Sequence, residues 1–312
     1  MTDGPAPDPR TGADILATTE STTVPGGLVA GLVRLARPKQ WLKNVLVFVA
    51  PGAAGVLLQP GPLLRTLLAF VVFSLAASGT YYINDARDVV ADRLHARKRF
   101  RPVASGQVPP AVAYVGGVVL LLLAMALSLL AGWQLLVTVA SYIALTTAYS
   151  LWLKHEPVVD LVGVAAGFVL RALAGAMATH VPVSSWFLIV ASLGSLFMVA
   201  GKREAELRNA GDEVTRSTLQ RYSMQFLSYI QAAATGALLV SYCMWAFEAH
   251  SGGDRLLFGL SIVPFAVGVL RYAMLVDIGR GEEPEDAVLS DHVLTVCGVL
   301  LVVLLGIGVY VS

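Results

Sequence analysis

Nine apolar runs constrain this chain more than any other feature. They cover residues 41–58, 63–83, 112–131, 135–153, 158–178, 186–200, 226–247, 256–276 and 293–311. Most are about 18 residues or longer, the length at which an apolar run reads as a bilayer-crossing helix. Only 14% of the residues are charged, against roughly 25% in a soluble domain. The third and fourth runs are parted only by Gly132-Trp133. Together they reach about 40 residues, too long for one crossing, so a tight hairpin is expected there. The expected fold is an all-α integral membrane protein, a bundle of nine transmembrane helices.

The loops alternate in charge. Of the 22 Lys and Arg, Arg65 and Arg255 fall on one side, and Arg171 and Arg271 fall within runs. All the others lie in the N-terminal tail and the alternate loops on its side. By the positive-inside rule this puts the N-terminus in the cytoplasm and the C-terminus outside a plasma (inner) membrane. The two long loops, each about 25 residues, share the cytoplasmic side with the tail, so polar chemistry is expected at that face. Residues 1–27 read as a disordered cytoplasmic tail, rich in Pro, Gly, Thr and Asp, and not as a signal peptide. Residues 28–312 read as a single transmembrane domain. Cys243 and Cys297 lie inside apolar runs and read as small hydrophobes. The five histidines show no paired ligand spacing, which argues against zinc or haem. No Walker loop, dinucleotide fingerprint or Ser/His/Asp pattern is present. The lipid bilayer is the expected surroundings, no nucleic-acid partner is expected, and a homo-oligomer stays open.

The strongest chemical signal is Asn84-Asp85-Ala86-Arg87-Asp88-Val89-Val90-Ala91-Asp92, at the cytoplasmic end of the second run. On a helix, Asp85, Asp88 and Asp92 fall within roughly 60° of one another. Three carboxylates on one stripe repel, and a cation relieves that repulsion. Oxygen ligands suit Mg²⁺, which is usually held by one or two carboxylates together with substrate phosphates. These residues are therefore expected to hold Mg²⁺ and a diphosphate. The bland alternative is a solvated helix end paired with nearby arginines.

Basic residues surround this motif. Lys98-Arg99-Phe100-Arg101 follows it, and Arg101, beside Pro102 and a Ser-Gly turn, is a candidate phosphate contact. Trp41 reads as an interfacial anchor, with Lys43 one turn deeper, beyond the place a topology signal needs. Tyr149 and Lys154 close the fourth run, although an aromatic there is commonly a belt residue. Asp160 and Arg171 fall inside the fifth run. An intramembrane charge suggests a functional site, with an ion pair to a neighbouring helix as the competing reading. Lys202-Arg203-Glu204-Ala205-Glu206 opens the second long loop, and helical spacing places Lys202 beside Glu206. Candidate substrate-binding residues are thus Lys43, Asn84, Arg101, Tyr149, Lys154, Lys202, Arg203 and Glu206. Asp85, Asp88 and Asp92 are the candidate catalytic and metal residues.

With these residues in view, the chain resembles the UbiA superfamily of intramembrane prenyltransferases from about Arg34 to its end. The N-D-x-x-D-x-x-x-D run matches that superfamily's first aspartate motif. Most members carry a second D-x-x-x-D in the next long loop, where this chain has Lys202-Arg203-Glu204-Ala205-Glu206. That departure resembles the branch of decaprenyl-phosphate phosphoribosyltransferases. So do the R-P-x-Q-W-x-K-N start at Arg37, the H-x-x-K-R-x-R-P-x-A-S-G loop at His95, and Arg271-Tyr272 followed by Gly281, Pro284, Glu285 and Asp286. Ala96 stands where that branch often has Pro. The resemblance implies Mg²⁺-dependent transfer of 5-phosphoribosyl from phosphoribosyl pyrophosphate (PRPP) to polyprenyl phosphate, feeding cell-wall arabinan synthesis. The alternatives are prenyl transfer from a prenyl diphosphate to an aromatic acceptor and, on another footing, a transporter. A transporter fits less well, because the sequence shows no internal repeat.

Overall fold

The computed structural model describes residues 27–209, 218–248, 255–281 and 284–311. The tail expected to be disordered, up to residue 26, and Arg216 lie outside them. The described residues are all-helical. After α1 (Leu28–Ala36) comes a 3₁₀ helix (Pro38–Phe48), then α2 (Val49–Ala53), α3 (Pro60–Arg87) and α4 (Val89–Leu94). Next are α5 (Pro110–Ser128), α6 (Trp133–Leu151), α7 (Val159–Thr179) and α8 (Ser185–Asn209). The chain closes with α9 (Met224–Glu248), α10 (Arg255–Asp277), α11 (Pro284–Ser290) and α12 (His292–Tyr310).

Among the described residues, eight helices are long and apolar enough to cross a membrane: α3, α5–α10 and α12. The first expected span, 41–58, is not one of them. It folds as the 3₁₀ helix running into the short α2. Pro38 opens the segment, Pro51 interrupts it, and the polar Gln40, Lys43 and Asn44 break its apolar face. An eleven-residue 3₁₀ run is long for that conformation, which usually covers three or four residues.

The α5–α6 hairpin forms where it was expected. Gly132 turns the chain at φ +119°, a conformation that side chains resist. Pro60 and Pro110 start their helices at positions where the missing N–H is no loss. The Asp291 side chain caps α12 by accepting from the Leu294 amide at 3.0 Å.

Helices inside lipid pack by close approach of small residues rather than by water exclusion. A Cβ on Gly79 would stand 2.9 Å from the Gly117 carbonyl oxygen, so α3 and α5 meet backbone to backbone. One core cluster joins the 3₁₀ helix, α3, α6 and α7 through Val47, Val72, Phe73, Leu135, Val139 and Ala174. A second joins α8, α10 and α12 through Phe197, Tyr272, Val276 and Leu294. Leu64, Leu130, Val240 and Val302 point outward, each more than 60% exposed, as lipid-facing side chains do.

Candidate active site

The acidic motif folds as two helices rather than one. Asp88, at φ −89° and ψ 8°, ends α3. The hydrogen-bond ladder nearly continues through it. The Asp88 amide donates to the Asn84 carbonyl and the Asp92 amide to the Asp88 carbonyl, both at 2.9 Å. α4 therefore keeps close to the register of α3, and Asp92 returns towards the face of Asp85. Arg101 joins these two, its Nη1 standing 2.7 Å from Asp92 Oδ2 and 3.3 Å from Asp85 Oδ1. Asp85 and Asp92 are buried. Asp88 stays at the rim, its side chain 39% exposed and 3.2 Å from Arg87 Nε. The expected three-carboxylate stripe is thus a buried pair with the third member set apart, because the helix bends at Asp88.

Arg37 is a site residue that sequence reasoning passed over. It adopts a left-handed conformation, φ 52°, between α1 and Pro38. From there its Nη2 donates to Asp85 Oδ1 at 2.7 Å, while its guanidinium lies 4.6 Å from the Tyr81 ring centre. Asp85 Oδ1 thereby serves two guanidiniums. Asp85 Oδ2 is buried without a hydrogen-bond partner, a state that costs about 1–3 kcal/mol.

These groups line a cavity of about 530 Å³. Its acidic wall holds Asn84, Asp85 and Asp88, and Lys98, Arg101, Lys154 and His155 stand with them. Farther in, it is lined by Lys43, Tyr142, Thr146, Phe168 and Arg171. Tyr149 also lines it; Lys202, Arg203 and Glu206 do not.

Arg203 sits behind the wall. It is buried, with Nε 3.2 Å from Asp160 Oδ2, Nη1 2.7 Å from Glu206 Oε2 and Nη2 3.2 Å from the Tyr149 hydroxyl. Two carboxylates neutralise it, so it braces Tyr149 rather than offering the cavity a free cation. The expected Lys202–Glu206 pair forms at 3.9 Å. Asp160 also accepts from the Tyr222 hydroxyl, which in turn accepts from the Val158 amide at 2.6 Å. Burial, and then the bond to Asp160, push the Tyr222 hydroxyl well above its usual range, so it stays a donor. Thr218 donates to the Lys154 carbonyl, and Arg221 to the His155 carbonyl at 3.2 Å. The turn before α9 thereby holds the Lys154–His155 turn against the cavity.

Of the two intramembrane charges, Asp160 forms the ion pair to a neighbouring helix, with Arg203 on α8, and Arg171 does not. No carboxylate pairs with it among the described residues. It donates instead to Asn44 Oδ1 at 2.9 Å, the Gly167 carbonyl at 2.8 Å and the Tyr142 hydroxyl at 2.8 Å.

No three His, Cys, Asp or Glu side chains among the described residues stand close enough to hold a metal by themselves. Mg²⁺ asks for less, being commonly held by one or two carboxylates with substrate phosphates and water. The unpartnered Oδ2 of Asp85, a residue that lines a cation-rich cavity with room for a diphosphate, fits that requirement.

Fold and site together define a polytopic helical membrane protein with a charged, open cavity lined by its helices. The chain belongs to the UbiA prenyltransferase family, whose model matches residues 45–295. Decaprenyl-phosphate phosphoribosyltransferase of Corynebacterium glutamicum is 42% identical over 92% of this chain and 89% of its own length. The Mycobacterium tuberculosis protein of the same name is 43% identical over 92% and 97%. Among solved structures, a UbiA homologue from Archaeoglobus fulgidus with GPP and Mg²⁺ bound aligns at TM-score 0.68 and 18% identity. The alignment covers 90% of this chain and all of that one, a likeness of fold.

Proposed function

We propose that this chain is a decaprenyl-phosphate phosphoribosyltransferase. It moves the 5-phosphoribosyl group of PRPP onto the phosphate of polyprenyl phosphate, as a step towards cell-wall arabinan. The observation that carries this reading is the charge arrangement of the cavity. Asp85, buried and with one oxygen left without a partner, lines a cavity that Arg37, Lys98, Arg101, Lys154 and Arg171 also line. A prenyl diphosphate with an aromatic acceptor brings one diphosphate. PRPP and a lipid phosphate bring a diphosphate and two monophosphates, which the additional cations suit. The similarity to the corynebacterial and mycobacterial enzymes supports the same assignment.

The chemistry follows from these residues. An oxygen of the lipid phosphate attacks C1 of the ribose. The C1–O bond to pyrophosphate breaks, and pyrophosphate leaves with the bonding electrons. The acceptor's second pKa is about 6, so it is already mostly dianionic near neutrality and needs no general base. Mg²⁺, which Asp85 would hold through its unpartnered Oδ2 together with the substrate's phosphates, supplies positive charge to the leaving pyrophosphate when bound, while Asp92 anchors Arg101 and Asp88 stands at the rim. Arg37 and Arg101 fix Asp85 in place, and Asn84, Lys98 and Lys154 bind the donor's phosphates from the cavity wall. Tyr149 orients the donor, braced by Arg203 and Glu206. Lys202 stands outside the contact set.

The 3₁₀ helix and α2 complete a ninth crossing. Eleven residues at about 2.0 Å and five at about 1.5 Å give roughly 30 Å, the thickness of the hydrocarbon core. Nine crossings put the N-terminus and the cavity in the cytoplasm and the C-terminus outside the inner membrane. Pyrophosphate release by purified protein tests the reaction. It should require PRPP, polyprenyl phosphate and Mg²⁺ together. Release from a prenyl diphosphate plus an aromatic acceptor, and none from PRPP, would overturn the assignment.

A further inference from the structure

We infer that Arg171, set by Asn44 and Tyr142, is the binding residue for the lipid phosphate of the acceptor, while the cations nearer Asp85 serve the soluble donor. This rests on the reaction proposed above and divides its site in two.

The first argument is charge. Arg171 is 7% exposed, Tyr142 3% and Asn44 not at all. Asn44 is itself fixed, its Nδ2 donating to Ser74 Oγ at 3.0 Å. A guanidinium has five N–H groups, and the three recorded acceptors of Arg171 are neutral oxygens. No carboxylate among the described residues pairs with it; the Tyr142 and Phe168 rings, 4.7 and 5.5 Å from the guanidinium carbon, soften the charge without neutralising it, and such a cation inside a membrane helix is retained where it faces an anion or a polar cavity. Arg171 faces the cavity.

The second argument is depth. Ser74, which anchors Asn44, lies eleven residues before Asp85 on α3, roughly 16 Å along the axis. Tyr142 lies nine residues before the end of α6, roughly 14 Å. The Arg171 side chain folds back one turn to the Gly167 carbonyl, so its guanidinium points from this deep layer towards Asp85. A diphosphate held at Asp85 is too short to reach it. A diphosphate, the ribose carbon and a second phosphate in line fill the interval.

The third argument is the origin of the two substrates. A sugar phosphate enters from water, past Arg87, Lys98 and Lys154. A polyprenyl phosphate keeps its tail within the bilayer and its phosphate at the interface, so it reaches the cavity from the lipid side, between helices. Phe168 and Leu145 line the cavity with Arg171 and suit the first isoprene units.

Binding of farnesyl phosphate in detergent to the full-length protein, without donor, tests this. Arg171→Met should weaken it about ten-fold or more, as expected for losing a charge-assisted contact. Affinity for PRPP with Mg²⁺ should change by no more than about two-fold, far below the effect of removing a charged contact. Tyr142→Phe, which keeps the charge, should shift farnesyl phosphate affinity in the same direction by about three-fold, the size of one modest hydrogen bond. It carries the test should the Arg171 variant fail to fold. Farnesol should bind both variants as it binds wild type. Loss of PRPP affinity with farnesyl phosphate unaffected would overturn the inference, as would unchanged binding of both. Arg171-dependent farnesyl phosphate binding in a protein that turns over no PRPP would retain this subsite and sink the proposed reaction instead.

Discussion

Gly175 is where the fold is least able to accept an added atom, and the consequence reaches the cavity. A Cβ there would stand 1.8 Å from the Val47 carbonyl oxygen, 2.8 Å from its carbonyl carbon and 3.0 Å from Pro51 Cδ. Ordinary contact begins near 3.4 Å, so Gly175→Ala forces the 3₁₀ helix away from α7 by about 1.6 Å. The obstructing atoms are backbone and proline ring, which no rotamer change can move. Overpacking of this kind costs about 3 kcal/mol. Asn44 lies one 3₁₀ turn before Val47, so the same shift pulls it from Ser74 and Arg171. Misplacement of a binding group by about 1 Å can lower rates about 10²-fold, and kcat/KM for the acceptor should fall by that order. Thermal unfolding in detergent and steady-state kinetics read the two effects. Gly236→Ala, with nothing within 4 Å of its added Cβ, should leave both unchanged or raise stability slightly. A Gly175→Ala protein with wild-type melting and wild-type kinetics would refute the reasoning.

Other substitutions separate chemistry from support. Asp85→Asn should lower turnover about 10²- to 10³-fold, the scale of losing a charge-stabilising group, with melting largely kept; near-normal turnover at saturating Mg²⁺ would remove Asp85 from the site. Chelation should abolish turnover and added Mg²⁺ should restore it; activity that survives chelation contradicts the metal assignment. Arg203→Met removes the buried cation between Asp160 and Glu206 and should destabilise by about 3–5 kcal/mol, so loss of activity should track loss of folded protein in a melting assay. Asp291 has its carboxyl held below the usual range by Arg271 and the Leu294 amide. Its contribution is therefore present above about pH 4 and lost as pH falls through the lowered value. Asp291→Asn should match the wild type in the acid limit and melt earlier at neutral pH, as melting curves across that range would show.

Hydropathy and charge made eight of the nine expected spans legible, because lipid imposes length and polarity directly on sequence. The segment after Arg37 is the exception: Pro38, Gln40, Lys43, Asn44 and Pro51 interrupt its apolar run. Its close approach to Gly175 is a contact between positions far apart in the chain, which its own residues do not encode. The acidic motif was visible as a pattern, yet the bend at Asp88 depends on how α4 docks, which helical periodicity does not encode. Arg203 pairs with Glu206 at a spacing any helix provides, but its partner Asp160 belongs to another helix. Its basic character was therefore read as facing the substrate when it is spent inside the wall. Arg171 was marked by its intramembrane position, and only the tertiary structure reveals that no carboxylate among the described residues answers it. Arg37 was noted only as the start of the R-P-x-Q-W-x-K-N motif; its grip on Asp85 follows from the left-handed turn that redirects it.

Buried Asp85 and the cations around it bring the diphosphate of PRPP and a lipid phosphate together in the proposed reaction. Mass spectrometry of the lipid products tests it most directly, with purified protein given Mg²⁺, polyprenyl phosphate, PRPP, a prenyl diphosphate and 4-hydroxybenzoate together. The account predicts polyprenyl phosphate heavier by one phosphoribosyl group, with the prenyl diphosphate untouched. A prenylated aromatic product, with polyprenyl phosphate and PRPP recovered intact, would contradict it.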